Sequence, residues 1–236
     1  MSRMTARRSF LARIVAIAAA LGLETGRSAE AFALQTQQTP PGGDAAEPAS
    51  PKPRRGVGGF EPDRHERDDW MELPGKHRLV FDGTSPDGVK DALQFTGNFF
   101  TGNKNGYGLE AGDIAVVIVM RHRATQFAFT DAIWSKYGAA LSESEKFVDP
   151  KTSQAPTVNV YKTQIENNTK RGVHIAACDL STHRLASYIA RKTQGDADAI
   201  YKEMVANAMP NVHFVPAGIV AVTRAQERGY SLSHAG

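Results

Sequence analysis

The residue type best suited to covalent chemistry occurs once in this chain of 236 residues, as Cys178 in the stretch RGVHIAACDLST. A single cysteine cannot form an intramolecular disulfide, a CxxC redox pair or a zinc cluster of several thiolates. Two interpretations remain. Cys178 is either a reactive thiol, kept as a nucleophile, or a small apolar side chain that packs at the end of a buried strand.

Charged side chains are the next candidates, because they come directly after two other apolar runs. Asp82 follows HRLVF, and the cluster Arg121, His122 and Arg123 follows DIAVVIVM. A guanidinium or an imidazole at such a position binds small anions, and an imidazole also transfers protons near neutral pH. The competing interpretation of the cluster is a solvated basic loop. Asp82 is the weakest member of the set, since a lone carboxylate specifies no chemistry.

The remaining histidines give no metal-ligand pattern. His174 and His213 lie inside predicted strands, where we expect satisfied core or edge residues, and His183 lies on a predicted surface helix. No two histidines have the spacing with which one helix binds a metal ion. The sequence therefore predicts neither a metal site nor a cofactor.

The elements that position these residues alternate between strand and helix. The predicted strands are 77–82, 113–120, 173–178, 211–215 and 230–233. A polar, proline-containing loop is predicted at 142–156. Continuous β-branched runs and strand–helix alternation indicate a parallel sheet that helices cover on both faces. Ligands of such sheets collect at the carboxyl ends of the strands, where Asp82, Arg121 and Cys178 are expected.

The amino terminus predicts export. Arg7 and Arg8 precede Ser-Phe-Leu and an apolar run at 14–23, and Ala-Phe-Ala at 31–33 has the small-x-small pattern of a signal-peptidase site. These features are typical of a twin-arginine signal peptide, which we expect to be cleaved after Ala33, releasing the protein into the periplasm. The apolar run is too short to cross about 30 Å of hydrocarbon, which disfavours the alternative of a membrane anchor.

Loss of residues 1–33 changes the charge of the chain. Five of the 28 basic and two of the 25 acidic residues lie in the signal, so the mature chain keeps 23 of each and has no formal net charge. The sequence therefore gives no reason to expect nucleic acid or an anionic membrane as a partner.

The rest of the chain divides in two. Residues 34–69 are rich in proline, glycine and charge, with almost no large apolar side chain, which predicts a disordered tether. Residues 70–236 are long enough to bury a substantial core, and we expect one α/β domain there.

Two stretches resemble a known family. The third predicted strand with its terminal cysteine, GVHIAACDLST, and the stretch VPAGIVAVTRAQERGY near the end are similar to the DsrE/DsrF-like family. The similarity covers most of 77–236 and is closest to the exported, twin-arginine members. It implies a three-layer α/β/α fold with a mainly parallel five-stranded sheet, in the strand order 4-3-2-1-5, and assembly into a trimer or hexamer.

The resemblance also implies a role for the cysteine. Better-known relatives carry sulfur as a persulfide on a cysteine at the end of the third strand, and Cys178 is the matching position. In the implied strand order His122 and Cys178 share one rim, with Asp82 one strand further along. An imidazole or guanidinium there would favour the thiolate. The charge of Asp179, directly after the thiol, opposes the thiolate unless the carboxylate turns to cap the helix.

Three functions agree with these patterns. The first is a sulfur carrier or sulfur-transfer protein that uses Cys178 as its nucleophile and exchanges sulfur with a donor or acceptor protein. The second is a non-catalytic periplasmic binding module that holds a small anion through His122 with Arg121 or Arg123. The third is an accessory subunit of a redox complex.

Export by the twin-arginine route can be tested on the signal itself. Lysine keeps the positive charge of Arg7 and Arg8 but lacks the guanidinium pair that characterises the signal. We expect the Arg7→Lys/Arg8→Lys variant to accumulate in the cytoplasm as folded, uncleaved protein, measured by fractionation and intact mass. Periplasmic accumulation at the level of the unchanged protein would show that another route exports it.

Overall fold

The sheet expected from the sequence is present and is parallel throughout. The computed structural model describes residues 63–235, and these form one five-stranded sheet in the order β4-β3-β2-β1-β5, with every neighbouring pair parallel. The strands are β1 His77–Gly83, β2 Ile114–Met120, β3 His174–Cys178, β4 Val212–Val215 and β5 Ser231–Ala235. The expected α/β class and strand order are confirmed.

Six α-helices accompany the strands in this part of the chain. They are α1 Pro86–Tyr107, α2 Asp131–Glu145, α3 Lys162–Thr169, α4 Asp179–Thr193, α5 Ala197–Ala206 and α6 Gly218–Glu227. Short 3-10 helices occupy Glu66–Met71, Ala111–Asp113 and His122–Ala128. Between residues 63 and 235, none of the helices has the length and apolar character that crossing a membrane requires.

The sequence of β2 explains why it lies at the centre of the sheet. All seven of its residues, IAVVIVM, are buried. β1 pairs with one edge, with Leu79 opposite Val116, and β3 pairs with the other, with Ile118 opposite Ile175. β-Branched side chains fit a pleated surface that is covered on both faces. A polar side chain in the middle of β2 would lose its hydration without gaining a partner.

Different helices cover the two faces of the sheet, because successive strand residues point to opposite sides. Ile118 and Met120 pack in the larger apolar cluster, with residues of α1, α2, α4 and α5. Val117 and Val119 pack on the other side, with apolar residues of α6 and with Met71. We call this second side the α6 face. The result is the three-layer α/β/α arrangement.

The segment between α2 and α3 is anchored on the domain. Asn159 is 3 % exposed and donates from Nδ2 to the carbonyl oxygens of Phe127 and Phe129, at 2.9 and 2.8 Å. Gly138 of α2 faces the carbonyl oxygen of Pro156, and an added Cβ would lie 2.0 Å from that oxygen. The chain therefore needs glycine at position 138. α3 begins at Lys162, directly after this anchored segment.

The first residues of the described chain pack on α6. Met71 is fully buried, and its carbonyl oxygen accepts a 2.8 Å hydrogen bond from Tyr230 Oη. Asp68 accepts a 2.7 Å hydrogen bond from Nε of Arg224. Residues 66–69, which the sequence assigned to the tether, take part in this packing. The predicted signal peptide, its cleavage site and the tether up to residue 62 lie outside the described residues.

Two half-buried histidines stack beneath Trp70 on the α6 face. Nδ1 of His174 and Nε2 of His213 are 2.9 Å apart, so one ring nitrogen donates to the other. The Trp70 ring lies 4.2 Å from the His213 ring, with 2° between their planes. Burial lowers the pKa of both histidines, and for His213, where the charge of His174 adds to burial, it lowers the pKa to about 4.

Acidification is expected to destabilise the fold through this pair. His213 has its ordinary pKa of 6.5 in the unfolded chain and about 4 in the folded one, so the unfolded state takes up the proton first. The stability that the neutral ring contributes is complete above pH 6.5 and is lost as the pH falls toward 4. In His213→Phe, which keeps a stacked ring but cannot be protonated, the melting temperature should fall less over this range.

The matched control for this experiment is His65→Gln, at an exposed position. Acidification should lower the melting temperature of this variant by as much as it lowers that of the unchanged protein. A loss of the same size in His213→Phe would contradict the role of His213.

Candidate thiol site at the carboxyl end of the sheet

Cys178 lies where the connections of the sheet diverge. β3 is followed by α4 on one face, and its neighbour β4 is followed by α6 on the other. Such a point opens a crevice between the two strand ends, and open α/β sheets bind their ligands there. Cys178 is the last residue of β3 and lies opposite Val215, the last residue of β4.

The alternation of β3 places the thiol on the α6 face. Ala176 packs against α6, whereas Ala177 packs in the larger cluster on the other side, so Cys178 shares the side of Ala176. Cys178 is 6 % exposed and directly precedes α4, and its carbonyl oxygen accepts a 3.0 Å hydrogen bond from Thr182 Oγ1. The thiol is therefore close to the surface but nearly covered in the free chain.

Arg121 and Asp82 form an ion pair on the same face. Nε and Nη2 of Arg121 donate to the two carboxylate oxygens of Asp82 at 2.7 and 2.9 Å. The Asp82 side chain is 8 % exposed, and the Arg121 side chain 27 %. The hydrogen bonds to Asp82 raise the pKa of Arg121 most, burial opposes this, and the charges of Asp82 and of a Cys178 thiolate add to the rise. The guanidinium is therefore a cation within electrostatic reach of the thiol.

Gly218 explains how α6 fits over this pair. A Cβ at Gly218 would lie 2.4 Å from Cβ of Arg121 and 3.0 Å from its Cδ. Only a residue without a side chain lets the first turn of α6 approach the arginine so closely. The glycine of the VPAG stretch therefore holds Arg121 between the sheet and α6.

The other two members of the basic cluster are placed differently. His122 has an exposed ring and a left-handed backbone, with φ 56°, and its backbone N–H donates to Ser181 Oγ of α4 at 3.2 Å. Arg123 donates from Nε and Nη2 to the carbonyl oxygen of Glu145, at 3.0 and 2.5 Å, at the carboxyl end of α2. The structure thus places Arg121 and Asp82 on the face of the sheet that carries the thiol, whereas Arg123 binds the carboxyl end of α2.

Asp179 is turned away from the thiol. Its Oδ1 accepts a 2.7 Å hydrogen bond from Tyr201 Oη of α5, and its Oδ2 lies 3.7 Å from Nε2 of His183. The hydrogen bond to Asp179 raises the pKa of Tyr201 most, and burial and the charge of Asp179 raise it further, to about 12. The carboxylate therefore binds side chains of α4 and α5 instead of capping α4.

His234 also approaches Asp82, a contact that the sequence patterns did not predict. It lies opposite Asp82 in the pairing of β5 with β1, and its Nδ1 is 3.5 Å from Oδ2 of Asp82. The side chain is 60 % exposed. The implied strand order 4-3-2-1-5 could have predicted this contact, because it places the last strand, which carries His234, beside the first strand, which carries Asp82.

Among residues 63–235, no three or more His, Cys, Asp or Glu side chains are grouped so that they could hold a metal ion.

Comparisons with known proteins leave the function open. No protein-family model matches the chain, and no curated protein matches it. Among solved structures, a protein of unknown function from Methanobacterium thermoautotrophicum, MTH1491, is similar at 16 % sequence identity and a TM-score of 0.37. The match covers 67 % of this chain and 99 % of that chain.

The ion pair predicts opposite effects of its two members on the thiol. Arg121→Gln removes the cation that favours the Cys178 thiolate, and Asp82→Asn removes the anion that neutralises this cation. We expect the rate of iodoacetamide alkylation at neutral pH to fall about threefold in Arg121→Gln and to rise by about as much in Asp82→Asn. Rates that rise in both variants would show that the substitutions merely loosen the site.

Proposed function

We propose that this protein is an exported, DsrE/DsrF-like sulfur carrier that holds sulfur as a persulfide on Cys178. The observation that carries the proposal is the position of the cysteine. It ends β3 beside β4, where the helices diverge, and shares the α6 face with the guanidinium of Arg121. Open α/β sheets bind their ligands where the connections of neighbouring strands diverge, and a nearby cation favours the nucleophilic thiolate over the thiol.

The sulfur transfer is a displacement at sulfur without net oxidation. The Cys178 thiolate attacks the sulfane sulfur of a donor persulfide or polysulfide. A new S–S bond forms at Cys178 while the S–S bond of the donor breaks, and the rest of the donor leaves with the electron pair as a thiolate or a shorter polysulfide. The proton of the original thiol goes to solvent. A cation beside the thiol favours the anionic persulfide as it favours the thiolate.

The alternative of an anion-binding module gains no support from the contacts. Arg121 donates to both oxygens of Asp82, and Arg123 donates to the carbonyl oxygen of Glu145. Both guanidinium groups of the basic cluster thus already have partners within the protein. No contact of the described chain specifically favours the role of an accessory redox subunit.

Assembly and location complete the proposal. Ile219 and Val220 of α6 are 55 % and 46 % exposed, and Leu180 at the start of α4 is 66 % exposed. Apolar side chains at these positions support a trimer or hexamer in which α6 lies near a subunit boundary. The proposed location is the periplasm, where a donor or acceptor protein would meet the thiol without involvement of nucleic acid or membrane.

Persulfide formation can be measured directly by mass. After incubation with polysulfide and removal of the excess, the mature protein should gain one or more sulfur atoms on Cys178, and dithiothreitol should remove them. Cys178→Ser should gain none. Sulfide alone is the matched reagent control, because it has no sulfane sulfur and cannot oxidise a thiol.

A negative result would be clear. If the folded protein gains no sulfur, and Cys178 gains it only after denaturation, the thiol is core packing and the sulfur-carrier proposal is wrong.

A further inference from the structure

The first turn of α4 separates two charges that are neighbours in the sequence. Cys178 ends β3 and Asp179 begins α4, with no intervening residue. The thiol lies on the α6 face, whereas α4 and α5 pack on the opposite face through Leu185 and Ile200. A free carboxylate at position 179 would be close enough to the thiol to oppose the thiolate.

Two side chains, Tyr201 and His183, hold the carboxylate of Asp179 on the α5 side, and the three side chains form one cluster. Tyr201 Oη donates to Oδ1 of Asp179 at 2.7 Å, and Nε2 of His183 lies 3.7 Å from Oδ2. The rings of His183 and Tyr201 stack, with centroids 3.8 Å apart and 7° between their planes. Each member therefore contacts the other two. One carboxylate oxygen thus accepts a hydrogen bond, the other lies near an imidazole nitrogen, and the Asp179 side chain is 29 % exposed.

We propose that Tyr201 is a positioning residue for the thiol. By donating its hydroxyl to Asp179, it keeps the carboxylate away from Cys178 and so leaves Arg121 as the dominant charge at the sulfur. The inference concerns the same thiol as the proposed function, but it predicts a chemical property of Cys178 that is measured without any sulfur donor.

The charges around the start of α4 come from several elements. On the α6 face they are Arg121, directly after β2, and its partner Asp82 of β1. His122 reaches the same turn through its backbone N–H, and Asp179, His183 and Tyr201 lie on the other side. Of these, the hydroxyl of Tyr201 is the donor that holds Oδ1 of Asp179. Its loss frees one carboxylate oxygen to turn toward the helix start.

The test is a double-mutant cycle on the pH dependence of alkylation. Tyr201→Phe keeps the ring that stacks on His183 and removes only the hydroxyl. We expect it to raise the pH midpoint of iodoacetamide alkylation by about half a unit, and thus to slow alkylation about threefold at neutral pH. Asp179→Asn should react no more slowly than the unchanged protein. The double variant should behave like Asp179→Asn, because no carboxylate remains to be released.

A second tyrosine supplies the matched control. Tyr188 lies in α4, as Asp179 does, but its ring contacts Arg191 and Lys192. Tyr188→Phe should leave the alkylation profile unchanged. Thermal unfolding of every variant checks that the domain is folded, so that a loss of structure is not taken for a change in charge.

Three results would contradict the role of Tyr201. Unchanged or faster alkylation in Tyr201→Phe would show that the hydroxyl does not protect the thiol from the carboxylate. Slowing that persists in the double variant would show that the effect does not pass through Asp179, and a thiol that reacts in no folded variant would be core packing. If the cycle behaves as expected but polysulfide adds no sulfur, the sulfur-carrier proposal fails and the role of Tyr201 stands.

Discussion

The burial of β2 on both faces sets the architecture of the whole domain. Its backbone groups need partner strands at both edges, and its apolar side chains need helices on both sides. α1, α2, α4 and α5 cover one side and α6 the other, so the chain must change faces after β4. The connections therefore diverge between the ends of β3 and β4, and Cys178 is the last residue of β3 at this point.

The Asp82–Arg121 pair shows how charge is held at this edge. A carboxylate as buried as Asp82 requires a partner, because an unpaired buried charge costs several kcal/mol. Arg121 satisfies it with two hydrogen bonds, and Gly218 allows α6 to close over the arginine. The same guanidinium lies on the face of the sheet that carries Cys178. The arginine that neutralises the buried carboxylate of Asp82 therefore also puts a positive charge on the face that carries the thiol of Cys178.

Proximity in the sequence is a poor guide to the electrostatics of the thiol. Asp179 is covalently adjacent to Cys178, yet Tyr201 and His183 hold its carboxylate on the α5 side. Arg121 is remote in sequence and directly follows the neighbouring strand β2, yet it lies on the same face of the sheet as the thiol. The abrupt passage from β3 into α4 is the reason, since it sends consecutive side chains to different sides of the sheet.

Sequence patterns alone predicted the fold class, the strands and the rim that carries Asp82, Arg121 and Cys178. Hydrophobic periodicity depends on burial, and parallel strands bring their carboxyl ends together in any fold of this class. Which charges lie near the thiol depends on contacts between elements that are distant in the sequence. Arg123 binds the end of α2, His234 approaches Asp82 from β5, and Asp179 faces α5. Those partners depend on side-chain directions and helix positions, which no local pattern encodes.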